Sequence, residues 1–389
     1  MTAIETVPYA SYAMDVHRTR GRRFPEPQHP YRNDYARDRD RIIHSRAFRR
    51  LEAKTQVFTA RFSDHFRNRL THTLEVAQLA RTVARALSLN SDLAEALALV
   101  HDIGHPPFGH AGERKLDARM REHGSYFNHN LHALRIVEQF EQRYLDFPGL
   151  NLTFEAREGI VKHSRDYSAE EFPELAEYLL DQHPPLEAQL IDWVDEIAYN
   201  TADLDDAFEA RLLDLKGLRS DVPIFGEAWD AIVRAHPVGA TKLKFNEALK
   251  RVFNVLTTDL IENTQRAVDA SSVRTVEDVR KQPRRLAGFS PVAAEQNALL
   301  KRFLSAKIYS HEDIVEDRNH SVEALDALFQ LFLQHPERMP EPYAKQAEEV
   351  PRARVVCDYI AGMTDHFLVR RCHELLIDEP AKRSDAAAP

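Results

Sequence analysis

Between residues 187 and 209, Leu190, Val194, Ile197, Thr201, Leu204 and Phe208 recur at steps of four, three, four, three and four. That period holds one stripe of a helix against a core, and a strand, whose faces alternate every second residue, cannot satisfy it. The same spacing predicts a helix over 72–88, with Val76, Leu79, Ala80, Val83 and Leu87 on one face. Residues 91–101 repeat Leu93, Leu97 and Val100 behind the cap candidates Ser91 and Asp92. A helix over 129–144 would turn Leu134, Val137, Phe140 and Tyr144 inward. Further helices are predicted over 241–268, 291–306, 321–334 and 353–376, with breaks at 216–224, 282–291 and 335–342. Only 12 of 389 residues are glycine and alternating β-branched runs are nearly absent, so the fold class is all-α.

With 43% hydrophobic residues the chain can bury one large core or two closely joined ones. Its net charge of −9 argues against general affinity for nucleic acid or anionic membrane. Eleven arginines against four acids between Arg18 and Arg50 are a local exception. Most of those arginines are expected on solvated or subunit-contacting surface. Two distant cysteines, Cys357 and Cys372, exclude a disulfide framework. No apolar run approaches the ~18–20 residues of a membrane span, and the N-terminal residues lack the order of a signal peptide. A cytoplasmic protein without membrane partners is expected.

The chemistry concentrates in HDIGHPPFGHAGE, residues 101–113, which has three histidines, two carboxylates, three glycines and two prolines. His101 and Asp102 are neighbours, and adjacent helical side chains diverge by ~100°. Both can address one ion only near a helix end or across a groove, and Gly104 with the prolines supplies the end. Imidazole with carboxylate suits zinc, iron, manganese and similar divalent cations. Two ligands do not hold a metal. His72, opening a helix, and Asp195, on the strongly periodic one, are candidates for the others. Asp195, Tyr199 and Asp203 share a face at i, i+4 and i+8. Asp192 and Asp206 extend it and read as a solvated acidic edge. His163 reads as a core-edge residue.

The order His…His-Asp…Asp resembles the HD-domain metal-dependent phosphohydrolases. The blocks DRDRIIHSRAFRRLEAKTQVF (38–58), NRLTHTLEVAQLART (68–82), HDIGHPPFGHAGE, FNHNLHALRIVE (127–138), LNLTFEAREGIVKHS (150–164), VDEIAYNTADLDD (194–206) and VCDYIAGMTD (356–365) narrow the resemblance. They point to the deoxyguanosine triphosphate triphosphohydrolase (dGTPase) family and its broader dNTPase relatives. The resemblance implies an HD-domain helical fold with additional C-terminal helices. A polar arm would cover 1–33, the core carrying the chemistry 34–215, a helical region packed on it 216–378, and a disordered tail 379–389. His72, His101, Asp102 and Asp195 would hold one divalent cation, with manganese favoured among Mn, Mg, Co, Ni, Fe and Zn. The resemblance makes His110 the proton donor, Glu113 its orienting carboxylate and His129 a second catalytic histidine. Gln56, Tyr199 and Asp203 would meet the deoxyribose, and His105 the phosphates or a second metal.

A cation bound by two carboxylates and two neutral imidazoles is formally neutral, while a nucleoside triphosphate brings about four negative charges. Arg69 and Lys162 are the expected phosphate cations. The implied reaction is hydrolysis of a deoxynucleoside triphosphate to deoxynucleoside and tripolyphosphate. A homo-oligomer, of which a hexamer is one form, and single-stranded DNA are the implied partners. Two alternatives stay open at this level. One is another HD phosphohydrolase activity on nucleotides, and the other is a nucleotide-sensing, single-stranded nucleic-acid-binding protein.

Overall fold

The structure is a computed structural model that describes residues 9–58 and 66–378. It is all-α: helices carry the described residues, joined by three isolated bridges and no strand among them. None of its helices is long and apolar enough to cross a membrane. The expected tail over 379–389 lies outside the described residues.

The chain divides into two compact units that interleave in sequence. The first comprises residues 1–45, 72–101 and 137–311, and the second 46–71, 102–136 and 312–389. The division therefore does not follow a cut near 215. Residues 216–311 belong with the first unit, and two short excursions, 46–71 and 102–136, belong with the last 78 residues of the chain.

In the first unit the Ser91–Val100 helix is the hub. Leu93, Ala94, Ala96, Leu97, Ala98, Leu99 and Val100 are all buried, so most of its circumference is apolar, with Asp92 and Glu95 marking its one polar edge. It packs against the Asp34–His44, Phe154–Val161 and Leu186–Glu209 helices. Its cap is Asn90, one residue earlier than the Ser91 and Asp92 candidates. The Asn90 side chain accepts from the Asp92 and Leu93 amides while its own amide group donates to Met14 O at 2.9 Å. The buried Glu187 carboxylate accepts from both Met14 N and Asn90 N. The described part of the N-terminal arm is thereby tied into the unit, with Ala13 and Met14 buried.

The part of the arginine-dense segment that belongs to this unit is laced with carboxylates. Arg41 makes a two-pronged contact with Glu26 at 2.7 and 2.8 Å. Arg22 reaches Asp34 and Asp38, and Arg23 lies on Glu138. Arg32 lies on Asp40, Arg37 on Glu26, and Arg39 on Asp40, Asp92 and Glu95. These six arginines are matched by carboxylates, yet Arg18, Arg20, Arg23, Arg32, Arg46, Arg49 and Arg50 are exposed, so most of the eleven lie on surface as expected and only Arg22, Arg37, Arg39 and Arg41 are drawn inward.

The second unit is built on the Glu312–Gln334 helix. Leu325, Leu328, Phe329 and Phe332 pack with Leu116 and Met120 of the Gly109–Glu122 helix, and with Val356, Ile360 and Leu368. Several boundaries differ from expectation. Residues 216–224 are not a broad break: helices Leu215–Asp221 and Pro223–Ala235 leave only Val222 between them. Residues 353–376 are two helices, Arg352–Ala361 and Asp365–Cys372, because Thr364 caps the second by accepting from Phe367 N. The helix from His129 widens into a π turn over Ile136–Phe140 and stops there. Phe140 and Tyr144, each 38% exposed, therefore do not turn inward as Leu134 and Val137 do.

Gly104 makes one of the two tightest backbone approaches among the glycines of the second unit. A Cβ there would lie 2.0 Å from His129 O and 2.5 Å from Ala133 N, both main-chain atoms that cannot swing aside. Gly104→Ala is expected to destabilise the chain by about 1–3 kcal/mol, the usual cost of overpacking, and urea denaturation followed by circular dichroism would read it. An unchanged midpoint would mean that the His129 helix start yields freely.

Candidate active site

The unit boundary passes between Thr71 and His72 and between His101 and Asp102, so each unit carries its own set of the expected residues. In the first unit, His72 sits one turn into the Arg69–Ala86 helix and His101 directly follows the Ser91–Val100 helix. Both are buried. Asp195, on the Leu186–Glu209 helix, meets them: its Oδ1 is 2.8 Å from His72 Nε2 and 3.6 Å from His101 Nε2. Burial opposes ionisation of Asp195, yet the hydrogen bonds and charge of His101 and His72 outweigh it and hold the carboxyl far below the usual carboxylate range. His101 is oriented by a 2.6 Å contact between Nδ1 and Ala98 O, one turn back along its own helix, which leaves Nε2 as the ligating atom. His72 Nδ1 is buried without a hydrogen-bond partner among the described residues. An ionised carboxylate between two oriented imidazoles is a donor set that fits a divalent cation.

Asp192 is not part of a solvated edge. Its carboxylate is 2.7 Å from His163 Nδ1 and 2.6 Å from Arg285, and it accepts from Ser164 N. The His163 ring in turn meets His101 edge-on at 5.4 Å. Further along the helix Tyr199 is half-buried. Burial, then Glu196, Asp195 and Asp203, push its hydroxyl well above its ordinary pKa. Asp203 is buried and accepts from the Tyr309 hydroxyl, a partner 106 residues away that no sequence pattern pointed to. Lys162 does not present a free ammonium. Its three protons are directed at Glu158 Oε1, Leu179 O and Gln182 O, each at 2.8 Å, in a cluster completed by the buried Arg280. The expectation that it meets phosphate finds no support in that geometry.

In the second unit Asp102 stands between two partners. Arg69 Nη1 donates to Oδ2 at 2.8 Å, and His105 Nδ1 lies 2.9 Å from Oδ1. Arg69 is thus buried beside a carboxylate, close under Gly109, whose left-handed backbone and missing side chain leave it room. The chain then turns into the Gly109–Glu122 helix, which places His110 and Glu113 one turn apart. Glu113 is the centre of this group. Its Oε2 is 3.0 Å from His110 Nδ1, while Oε1 accepts from His129 N at 2.9 Å and lies 2.8 Å from His129 Nδ1. Burial raises the pKa of Glu113, but the His110 and His129 hydrogen bonds outweigh it and keep the group ionised. His129 and His105 stack with centroids 3.9 Å apart, and burial lowers the pKa of both. His110 stands apart from them in exposure, with 66% of its side chain open to solvent. Gln56 is half-buried, and its Oε1 has no hydrogen-bond partner among the described residues.

Two residues that the sequence reading did not single out hold this loop. The Lys54 ammonium donates to His105 O and Ala361 O, and burial pushes its pKa down to about 7. Asp365 accepts from Thr55 N at 2.8 Å and Phe108 N at 3.1 Å. Both lie inside the quoted blocks, at AKTQVF and GMTD, which is the signal that marked their neighbourhood.

Comparison with known proteins identifies the family. Residues 69–200 match the HD domain, and residues 287–374 match the phosphohydrolase-associated domain. The deoxyguanosinetriphosphate triphosphohydrolase-like protein of Thiobacillus denitrificans is 47% identical over 363 residues, covering 93% of this chain and 96% of the relative. Its namesakes in Bordetella pertussis and Geobacter sulfurreducens are 44% and 43% identical, the latter over 98% of both chains. The chain belongs to the deoxyguanosinetriphosphate triphosphohydrolase-like family of HD-domain phosphohydrolases.

Proposed function

We propose that the chain hydrolyses deoxynucleoside triphosphates to deoxynucleoside and tripolyphosphate in a metal-dependent reaction. The observation that carries the proposal is the Glu113 junction. One ionised carboxylate grips the exposed His110 with one oxygen and the buried His129 with the other. Holding Nδ1 of His110 on Glu113 directs Nε2 outward, toward the leaving group. His110 then protonates the leaving 5′-oxygen. Glu113 orients it, and His129 braces Glu113.

His72, His101, Asp102 and Asp195 are assigned to the cation, of which manganese is favoured. When bound, a divalent cation polarises the phosphoryl oxygens and lowers the pKa of the attacking water. Arg69 and His105 face the phosphates. Gln56, Tyr199 and Asp203 face the sugar, where a close fit rejects a ribose 2′-hydroxyl. The same reading places the chain in the cytoplasm as a homo-oligomer.

The alternative of a single-stranded nucleic-acid sensor drew on the arginine segment, and the carboxylate partners of Arg22, Arg23, Arg32, Arg37, Arg39 and Arg41 weigh against it. Incubation with each of the four dNTPs in Mg, Mn or Co is expected to release tripolyphosphate and deoxynucleoside in equal amounts. Release of orthophosphate or pyrophosphate instead would move the chain to another phosphohydrolase activity. No turnover under any metal, with salt-sensitive binding of single-stranded DNA, would favour the sensor.

A further inference from the structure

The group around Glu113 offers more ligating atoms than proton transfer requires. A general acid needs one imidazole and one residue to orient it. Here three imidazoles and a carboxylate, from His105, His110, Glu113 and His129, each contribute a ligand atom, and all four atoms lie within 4.8 Å of one another. Glu113 offers a different oxygen to each ring, Oε1 at 2.8 Å from His129 Nδ1 and Oε2 at 3.0 Å from His110 Nδ1, so the carboxylate lies between the two imidazoles at near the ~3.3 Å ligand–ligand spacing of a tetrahedral zinc site.

His105 supplies a second, independent sign. It is 2% exposed, and its Nε2 is buried with no hydrogen-bond partner among the described residues. A buried imidazole nitrogen without a partner is costly unless something occupies its lone pair. The opposite nitrogen, Nδ1, lies 2.9 Å from the Asp102 carboxylate, an approach that lacks the alignment of a hydrogen bond but keeps a negative charge behind the ring. The His105 ring stacks on His129 and meets His110 edge-on at 5.0 Å. His110 is mostly exposed, so it is free to swing the remaining distance toward a cation.

We propose that His105, His110, Glu113 and His129 form a second transition-metal site, separate in its donors from the His72–His101–Asp102–Asp195 group. Three nitrogens and one oxygen suit zinc or cobalt and disfavour magnesium, which prefers oxygen ligands. Filling the site withdraws His110 and Glu113 from proton transfer, so zinc bound there inhibits; this consequence rests on the roles proposed above for those two residues.

Metal-free full-length chain titrated with cobalt, followed by its visible absorption and by equilibrium dialysis, tests the site without turnover. The wild type is expected to bind two equivalents. Asp195→Asn should keep one of them. His110→Ala, which removes an exposed side chain and leaves the core intact, should weaken the other at least tenfold, and Glu113→Gln should do the same. A single equivalent that vanishes in Asp195→Asn and is untouched by His110→Ala and Glu113→Gln would overturn the second site and leave the first assignment standing. A single equivalent lost in His110→Ala but kept in Asp195→Asn would uphold this site and overturn the first. No binding at all would overturn both. Given two equivalents, inhibition by zinc should appear only at concentrations that fill the one dependent on Glu113.

Discussion

Replacing Asp195 with asparagine is expected to remove the first metal equivalent and turnover together. The substitution keeps the shape of the side chain and takes away its charge. That charge is what His72 and His101 converge on, at 2.8 and 3.6 Å from the same oxygen. An amide is a poor ligand between two imidazoles, and its NH2 group would oppose their lone pairs if turned the other way. Loss of a residue that merely supports a ligand typically costs 10–100-fold in metal affinity or activity. Loss of a ligating carboxylate should therefore exceed about 100-fold in both. Stability gives a readout independent of catalysis. Manganese at 100 times its dissociation constant should raise the unfolding free energy of the wild type by about 2.7 kcal/mol, and most of that increment should be absent from Asp195→Asn. A variant that held manganese as tightly as the wild type would remove Asp195 from the ligand set, and His72 would fall with it.

Asp195 was legible in the sequence because two signals coincide there. The four-and-three period fixed the helix and its buried face, and Val194 and Ile197 are fully buried as that period requires. The same arithmetic recovered Val76, Leu79, Ala80, Val83 and Leu87, all of them buried. Periodicity reports which way a side chain faces but not what it meets. Lys162 reads as a free cation until Glu158 and two carbonyls take its protons. Asp192 reads as solvated until Arg285, 93 residues further on, closes over it. Tyr309 on Asp203 and Asp365 on Phe108 N are pairs of the same kind, distant in sequence and silent in composition. Boundaries failed for a local reason. Asn90 and Thr364 are caps whose side chains accept backbone amides, and either residue would pass for ordinary helix or loop when read alone. The interleaved units were out of reach altogether, since nothing in residues 46–71 or 102–136 announces that they will pack with helices more than 200 positions away.

His110→Ala is expected to lower kcat by about 10²–10⁴-fold, the usual worth of a positioned general acid, while leaving KM and the metal equivalent that depends on Asp195 nearly unchanged. The expectation follows from where the side chain stands. With 66% of it exposed, little packing is lost on truncation, and the fold should register almost nothing. Glu113 keeps both of its bonds to His129 in the variant, so the surrounding group stays in place. A pure proton-transfer role also predicts rescue: added imidazole should restore part of the lost rate, because the space opened by alanine is reached from solvent. Glu113→Gln should give a smaller loss without rescue, since the imidazole remains but the carboxylate that orients it is gone. If His110→Ala turned over substrate at the wild-type rate, the proton would have to come from elsewhere. If it lost rate only through a raised KM, His110 would be a phosphate contact rather than an acid.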